Sequence, residues 1–266
     1  VNAVAAPVCT VVEVLTAAPA IPRALESLQA LSRAVPDSLQ LRQTTTYAGG
    51  SDWLLLWGPG EPVRAAAIQR HVADGGHAIA IDLAYWSRTQ KVRISIDGPH
   101  PQAWVMRRAW PVARLVADQP PIANRWKPDG PIIIAGIGCK AQRQYGRQVS
   151  AWEDAMALHC RRQFPIRLIV RRPKKPVTVP IEQALSGASL LITWHSNAAV
   201  DAIRMGIPVV CRDGAAAAVC PSEVPADPRP LPEDLRYQFL ANLAWFQWDL
   251  TREAAACWAF LQETLS

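Results

Sequence analysis

Residues 188–193, ASLLIT, form an apolar run without polar alternation, and the polar turn Trp194-His195-Ser196-Asn197 follows it directly. A run of this kind is a strand buried on both faces, so it belongs in the middle of a parallel sheet. The surrounding stretch, 180–214, then resolves into a short helix, that strand, the turn, a helix over 197–205 stopped at Gly206, and a returning strand over 207–211. This is a βαβ unit. In open parallel sheets ligands sit beyond the carboxyl ends of the strands, where a helix N-terminus favours phosphate. His195, Ser196 and Asn197 occupy that position.

The rest of the chain repeats the pattern. Residues 8–15, 38–45, 53–57 and 77–86 read as strands and 22–34 and 62–73 as helices, with Gly58-Pro59-Gly60 breaking the third strand and Gly75-Gly76 ending the second helix. KVRISI alternates and predicts a half-exposed strand over 92–96. Residues 107–117 predict a helix interrupted at Pro111. The stretch 117–131 carries four prolines and few apolar residues, which marks a linker. Beyond it come a buried strand at 132–135, a helix over 149–164 with one apolar face, a strand at 166–170, the unit described above, and Trp-rich helices from 231 to the end. Trp245, Trp248 and Trp258 are spaced for packing on those helices rather than for stacking on bases.

At 266 residues the chain has room for one large core or two of about 120 to 130 residues each, and the two similar halves favour two. Hydrophobic residues make up 50% of it and eleven are Trp, which excludes a disordered chain. No run approaches the roughly 18 to 20 apolar residues of a membrane span, and the first apolar stretch has no basic flank, so the expected location is cytoplasmic. Six Cys, at 9, 139, 160, 211, 220 and 257, show no metal-ligand spacing and read as reduced structural thiols. The net charge of +6 is unevenly held: residues 126–185 carry 11 basic against 4 acidic side chains. Such a segment faces an anionic partner or water.

Several residues stand where chemistry is done. Gly136 and Gly138, followed by Lys140, form a strand-end glycine turn that lets backbone N–H groups approach a phosphate; a purely structural turn is the alternative. The same turn imitates a dinucleotide fingerprint, but the next strand ends in Arg171 and Arg172 instead of the acid that would hold a ribose, which argues against an NAD enzyme. No acidic pair of the form [DE]-x-[DE] occurs, so no paired carboxylates are available for a divalent ion. A phosphate bound at these strand ends would then be neutralised by helix N-termini and by Lys140, Arg172 and Lys174. Asp82, at the end of an apolar strand in the first half, is the first candidate for a general base, and His100 in a Gly-Pro-His-Pro turn the second. For Asp82 the structural alternative is a cap or an ion pair with Arg88. His71, His77 and His159 read as structural. Asp201 lies one helical turn beyond Asn197.

HSNAAVDAIRMGIPVV (195–210) resembles the nucleotide-sugar segment of GT-B glycosyltransferases, capsule-type sugar transferases among them. The resemblance implies that the polar turn binds the donor diphosphate and that Asp201, where those enzymes usually carry Glu, binds its ribose. A closer likeness, to predicted glycosyltransferases of tailed bacteriophages, runs through WGPG (57–60), IDLAYW (81–86), ISIDGPHPQ (94–102), IIIAGIGCK (132–140), RPK (172–174), the segment 195–218 and LAWFQW (243–248). It implies transfer of a sugar, with a UDP-sugar the commonest donor, and double-stranded phage DNA as one acceptor.

The expectation is therefore an α/β chain of two Rossmann-like domains facing a cleft, 1–122 on the acceptor side with Gly58 and Gly60 in its loop and 123–266 binding the nucleotide-sugar, the last helices crossing back to the first domain. The expected activity is metal-independent transfer to a hydroxymethylated pyrimidine in DNA, in host cytoplasm if the source is viral. The alternatives are transfer to a surface glycan and a non-catalytic nucleotide- or nucleic-acid-binding protein on the same fold. No membrane partner is expected.

Overall fold

The structure is a computed structural model that describes residues 10–15, 22–138, 142, 148–172 and 179–265. In chain order its elements are β1 (Thr10–Leu15), α1 (Pro22–Arg33), β2 (Leu39–Thr44), β3 (Trp53–Trp57), α2 (Pro62–Ala73), β4 (His77–Leu83), β5 (Val92–Ile96), α3 (Ala113–Asp118), β6 (Ile132–Ala135), α4 (Gln148–Gln163), β7 (Ile169–Arg172), α5 (Ile181–Leu185), β8 (Leu190–Thr193), α6 (Ala198–Arg204), β9 (Val209–Cys211), a 3-10 turn (Ala215–Ala218), α7 (Glu233–Ala244), β10 (Gln247–Trp248) and α8 (Leu250–Leu265). The chain is mixed α/β with two sheets, ordered β10-β5-β4-β3-β1-β2 and β7-β6-β8-β9.

It divides into two compact units. The first comprises the described residues of Val1–Ala84, Arg88–Pro99 and Gln247–Ser266, the second those of Tyr85–Ser87 and His100–Phe246. The division expected from the sequence fell between residues 122 and 123; by compactness, 100–122 lie with the second unit and 247–266 with the first.

In the first unit β1 to β4 run parallel, β5 turns back against β4, and β10 pairs antiparallel with β5 through Gln247 opposite Arg93 and Trp248 opposite Val92. Leu54, Leu55, Leu56, Ile79 and Ile81 are wholly buried, as parallel strands covered on both faces must be. β5 departs from its alternating pattern. All five of its residues are buried, because β4 and β10 flank it and Arg93 and Ser95 reach the Pro99 carbonyl. LAWFQW, read as helix, ends in β10 for the same reason: the open edge of β5 takes a strand. α8 packs on α1, with the Trp258 indole donating to the Leu31 carbonyl at 2.7 Å and standing edge-on to Trp53.

The second sheet is parallel throughout. Ile132, Ile134, Leu190 and Ile192 join Trp152, Ala157, Cys160 and Phe164 of α4 and its end in one core cluster. Burial of each such side chain contributes about 1.5–3 kcal/mol, so a charge at Ile192 would open this core. The helix expected over 107–117 is only α3. Residues 101–108 form turns instead, held by a buried amide on α7: Asn242 Nδ2 donates to the carbonyls of Val105 (2.8 Å) and Arg108 (3.0 Å), and its Oδ1 accepts from Trp110 N–H (2.8 Å). Those contacts bind the backbone groups a helix would have used. Trp248 and Trp258 are core residues, while Trp245 stacks on Trp110 with ring centroids 4.9 Å apart. The described cysteines, Cys160, Cys211, Cys220 and Cys257, are free and buried; burial pushes the Cys160 thiol up to about 11. Cys9 and Cys139 lie outside the described residues. Among the described residues no helix is long and apolar enough to cross a membrane.

Candidate functional site

Parallel register brings the carboxyl ends of the second sheet's strands to one edge. Ala135 lies opposite Arg172, and Thr193 opposite Cys211. The Gly136–Gly138 turn, residues 194–197 and residues 212–214 therefore leave the sheet side by side. Gly136, Gly138, His195, Ser196, Asn197 and the position of Arg172 share this edge. Lys140 and Lys174 lie outside the described residues.

The turn after β8 is built from its own polar groups. Thr193 Oγ1 accepts from Ser196 N–H at 3.1 Å, and Ser196 Oγ accepts from Ala198 N–H at 3.2 Å. Ser196, one residue earlier than Asn197, is thus the side chain that caps the start of α6; Asn197 makes no side-chain cap bond. The Asp213 N–H donates to the Trp194 carbonyl, and Gly214 packs against the His195 backbone, where a Cβ would fall 3.2 Å from the His195 oxygen. Its φ of +94° is one that L side chains rarely adopt, so this position requires glycine on two counts. Trp194 is held edge-on by Trp152 and has the Arg212 guanidinium 4.7 Å from its ring centroid.

His100 belongs to the same unit, and its ring centroid lies 6.1 Å from that of His195. Both imidazoles are half-buried. The buried Tyr85 hydroxyl stands 3.5 Å from His100 Nδ1. Two imidazoles and a tyrosine hydroxyl thus meet at one strand edge, with Ser196 and Asn197 in the same turn and Arg212 directly after the neighbouring strand β9. An imidazole nitrogen within hydrogen-bond reach of a bound hydroxyl can take its proton there.

Other expected residues have different surroundings. Asp201 is buried, and its Oδ1 accepts from Arg204 Nη2 at 2.8 Å; the two side chains are 4% and 5% exposed. Asp82 sits in the first unit with its Oδ2 3.0 Å from Arg93 Nη2 and its Oδ1 accepting the Leu83 N–H at 2.7 Å. Arg93 is thus an ion-pair partner of Asp82, and Arg88 Nε donates to the Ala84 carbonyl. Gly58 has φ +70° because the chain folds over Arg64, whose Nη1 donates to the Trp57 carbonyl at 2.9 Å; Gly60 lies in open space.

Three contributors escaped the sequence. Glu153 of α4 accepts the Ile137 N–H at 2.8 Å, so one amide of the glycine turn is already bound by a carboxylate. Nothing in a helix sequence marks which acid reaches back to a strand end. Tyr85 stands two residues beyond β4, in a motif whose sequence gives its hydroxyl no role. Gly214 follows Asp213, and that dipeptide is a turn signal.

No family model matches the chain, and no curated protein does. Solved structures share its fold. One is described as KpsC, beta Kdo 2,7 transferase, from Thermosulfurimonas dismutans, at 13% identity and a TM-score of 0.50, covering 90% of this chain and 91% of that one. The beta Kdo 2,4 transferase of the same organism's KpsC superposes at 11% identity and a TM-score of 0.47 over 89% and 91% of the two chains.

Proposed function

We propose that the chain is a glycosyltransferase that moves a sugar from a nucleotide-sugar, a UDP-sugar in the first instance, to a hydroxyl acceptor. The observation that carries this reading is the His100–His195 pair at the carboxyl end of β8, on a fold shared with a Kdo transferase over nine-tenths of both chains. His100 takes the acceptor proton. It is preferred to Asp82, whose two oxygens are engaged by Arg93 and the Leu83 amide. The turn 195–197 and the glycine turn hold the donor diphosphate, and Arg212 offsets its charge. In this scheme no step passes through a metal ion. Asp201 reaches the donor ribose only if it leaves Arg204.

The acceptor is a saccharide hydroxyl, in keeping with the chemistry named for the solved neighbour. Hydroxymethylated DNA is the second reading, favoured by the excess of basic residues in 126–185. Incubation with a panel of nucleotide-sugars, with and without oligosaccharides or hydroxymethylated DNA, is expected to release nucleotide and add one sugar mass to an acceptor. Binding of a nucleotide-sugar with no turnover on any acceptor would support the non-catalytic alternative, and no binding of any donor would falsify the proposal.

A further inference from the structure

Three arginines are buried among the described residues: Arg93, Arg204 and Arg236. A buried guanidinium is costly unless an opposite charge meets it. Arg93 has Asp82 and Arg204 has Asp201. Arg236 has neither. Its Nη1 donates to the neutral amide oxygen of Asn124 at 2.7 Å, and its Cζ lies 5.6 Å from the centroid of the Tyr237 ring.

The same arginine lines a cavity of about 350 Å³ together with Asn124, Trp126, Leu231 and Glu233. The cavity lies in the second unit, at the sheet edge opposite the His195 turn. Trp126 Nε1 donates to the carbonyl of Ser189, which precedes β8, whereas the turn follows β8. A four-residue strand separates the two edges by about 13 Å. Gly206 keeps the cavity open: a Cβ there would fall 2.5 Å from Arg236 Nη1 and 2.6 Å from Asn124 Oδ1. The first turn of α7 also faces it through Leu231 and Glu233, and Pro232 at the cap supplies no side-chain hydrogen bond to the first amides. An uncapped 12-residue helix start and an unpaired buried guanidinium favour the same charge, against the Glu233 and Asp234 carboxylates that already stand in that first turn.

We infer that this cavity binds a single sugar ring carrying a carboxylate or a phosphate. The anion meets Arg236 and the first amides of α7, the ring lies against the face of the Trp126 indole away from the Arg229 guanidinium, which stands 5.6 Å from that indole's centroid, and ring hydroxyls reach Asn124 and Glu233. The volume is at the small end for ligand sites, enough for one ring rather than a whole nucleotide-sugar. The inference is independent of the transferase reading, since it stands or falls by binding alone.

Titration calorimetry on the whole chain is expected to show one site for glucose 6-phosphate and for glucuronate, with neutral glucose at least about tenfold weaker. Arg236→Gln, checked for folding by its thermal transition, is expected to weaken both anionic ligands at least about tenfold. Glu233 is exposed and is the acid lining the cavity, so Glu233→Gln is expected to tighten both by about two- to fivefold. Absence of binding by either anionic ring, glucose binding as tightly as they do, or affinities indifferent to both substitutions overturns the inference. Should Arg236→Gln not fold, the sign of the Glu233→Gln effect decides.

Discussion

Among the described residues a tyrosine hydroxyl is set against a histidine Nδ1 once in each unit, and the two copies have opposite surroundings. In the first unit Tyr47 Oη stands 3.1 Å from His71 Nδ1, with the imidazole 1% exposed and sealed under the loop that Glu13 gathers through the Ala48 and Gly49 amides. In the second unit Tyr85 stands 3.5 Å from His100, and the imidazole is half-buried beside His195. The same pair therefore serves two ends. Where the ring is sealed it fills the core and resists protonation; where it is half-buried its edge stays accessible, and the proposed base sits there.

The largest expected effect tests the open copy. His100→Ala is expected to lower sugar transfer by about 10²- to 10⁴-fold, the usual contribution of a positioned general base, with little change in donor affinity. His71→Gln should leave turnover per folded molecule unchanged. Equal losses in kcat from the two variants would erase the distinction between the copies.

Next in size is the acid that shares the second unit with the open copy. Asp201 and Arg204 are almost fully enclosed, and Glu182, the other acid near Arg204, is 3.6 Å away and exposed. Removing one partner of a buried pair typically costs about 3–5 kcal/mol, so Asp201→Ala is expected to lower the chemical-denaturation free energy by that order. A variant of unchanged stability that had lost donor affinity would instead make Asp201 a ribose ligand and extend the functional region to α6.

A smaller effect separates positioning from packing. Tyr85→Phe removes one hydrogen bond near His100, worth about 1 kcal/mol, and is expected to lower kcat about fivefold while moving the basic or acidic limb of the pH–rate profile. Tyr47→Phe should alter stability by a similar amount and leave that profile in place. A Tyr85→Phe profile identical to wild type would reduce Tyr85 to a packing residue.

Much of this arrangement is legible in the sequence, for identifiable reasons. Apolar runs without alternation found the central strands at 53–57, 132–135 and 190–193, and Pro and Gly found the ends of α2 and α6. The His195 turn followed from its place after β8. What escaped was contact-dependent. The polar alternation of β5 reads as exposure, yet Arg93 and Ser95 are buried because Asp82 and the Pro99 carbonyl satisfy them. Local spacing cannot show that Asn242 will grip residues 105–110, more than 130 positions away, or that Glu153 will reach the Ile137 amide. Asp201 carries the right charge for a ligand at the right spacing, but only the fold reveals that Arg204 already holds it.

The smallest expected effect belongs to the sealed copy, and its sign follows from burial. Desolvation lowers the His71 pKa below its ordinary value of 6.5, outweighing the opposing influence of the Asp52 and His77 backbones and the Glu13 and Asp97 charges. Protonation then favours the unfolded chain, whose imidazole takes up its proton first. The stability held by neutral His71 is complete above pH 6.5 and is lost progressively as the pH falls below that value toward the folded pKa, with a slope of at most about 1.4 kcal/mol per pH unit. Glu13 acts in a separate window. Burial alone would raise its pKa, but the Ala48 amide, Thr44 and Arg42 together hold it below its ordinary 4.5, so the stability it confers is present above that value and is lost only at lower pH. Unfolding free energies measured at pH 7.5 and 5.5 should therefore fall more for wild type than for His71→Gln. A His71→Gln variant with the full wild-type pH dependence would mean that the sealed imidazole is not sealed to protons, and the contrast between the two copies would rest on geometry alone.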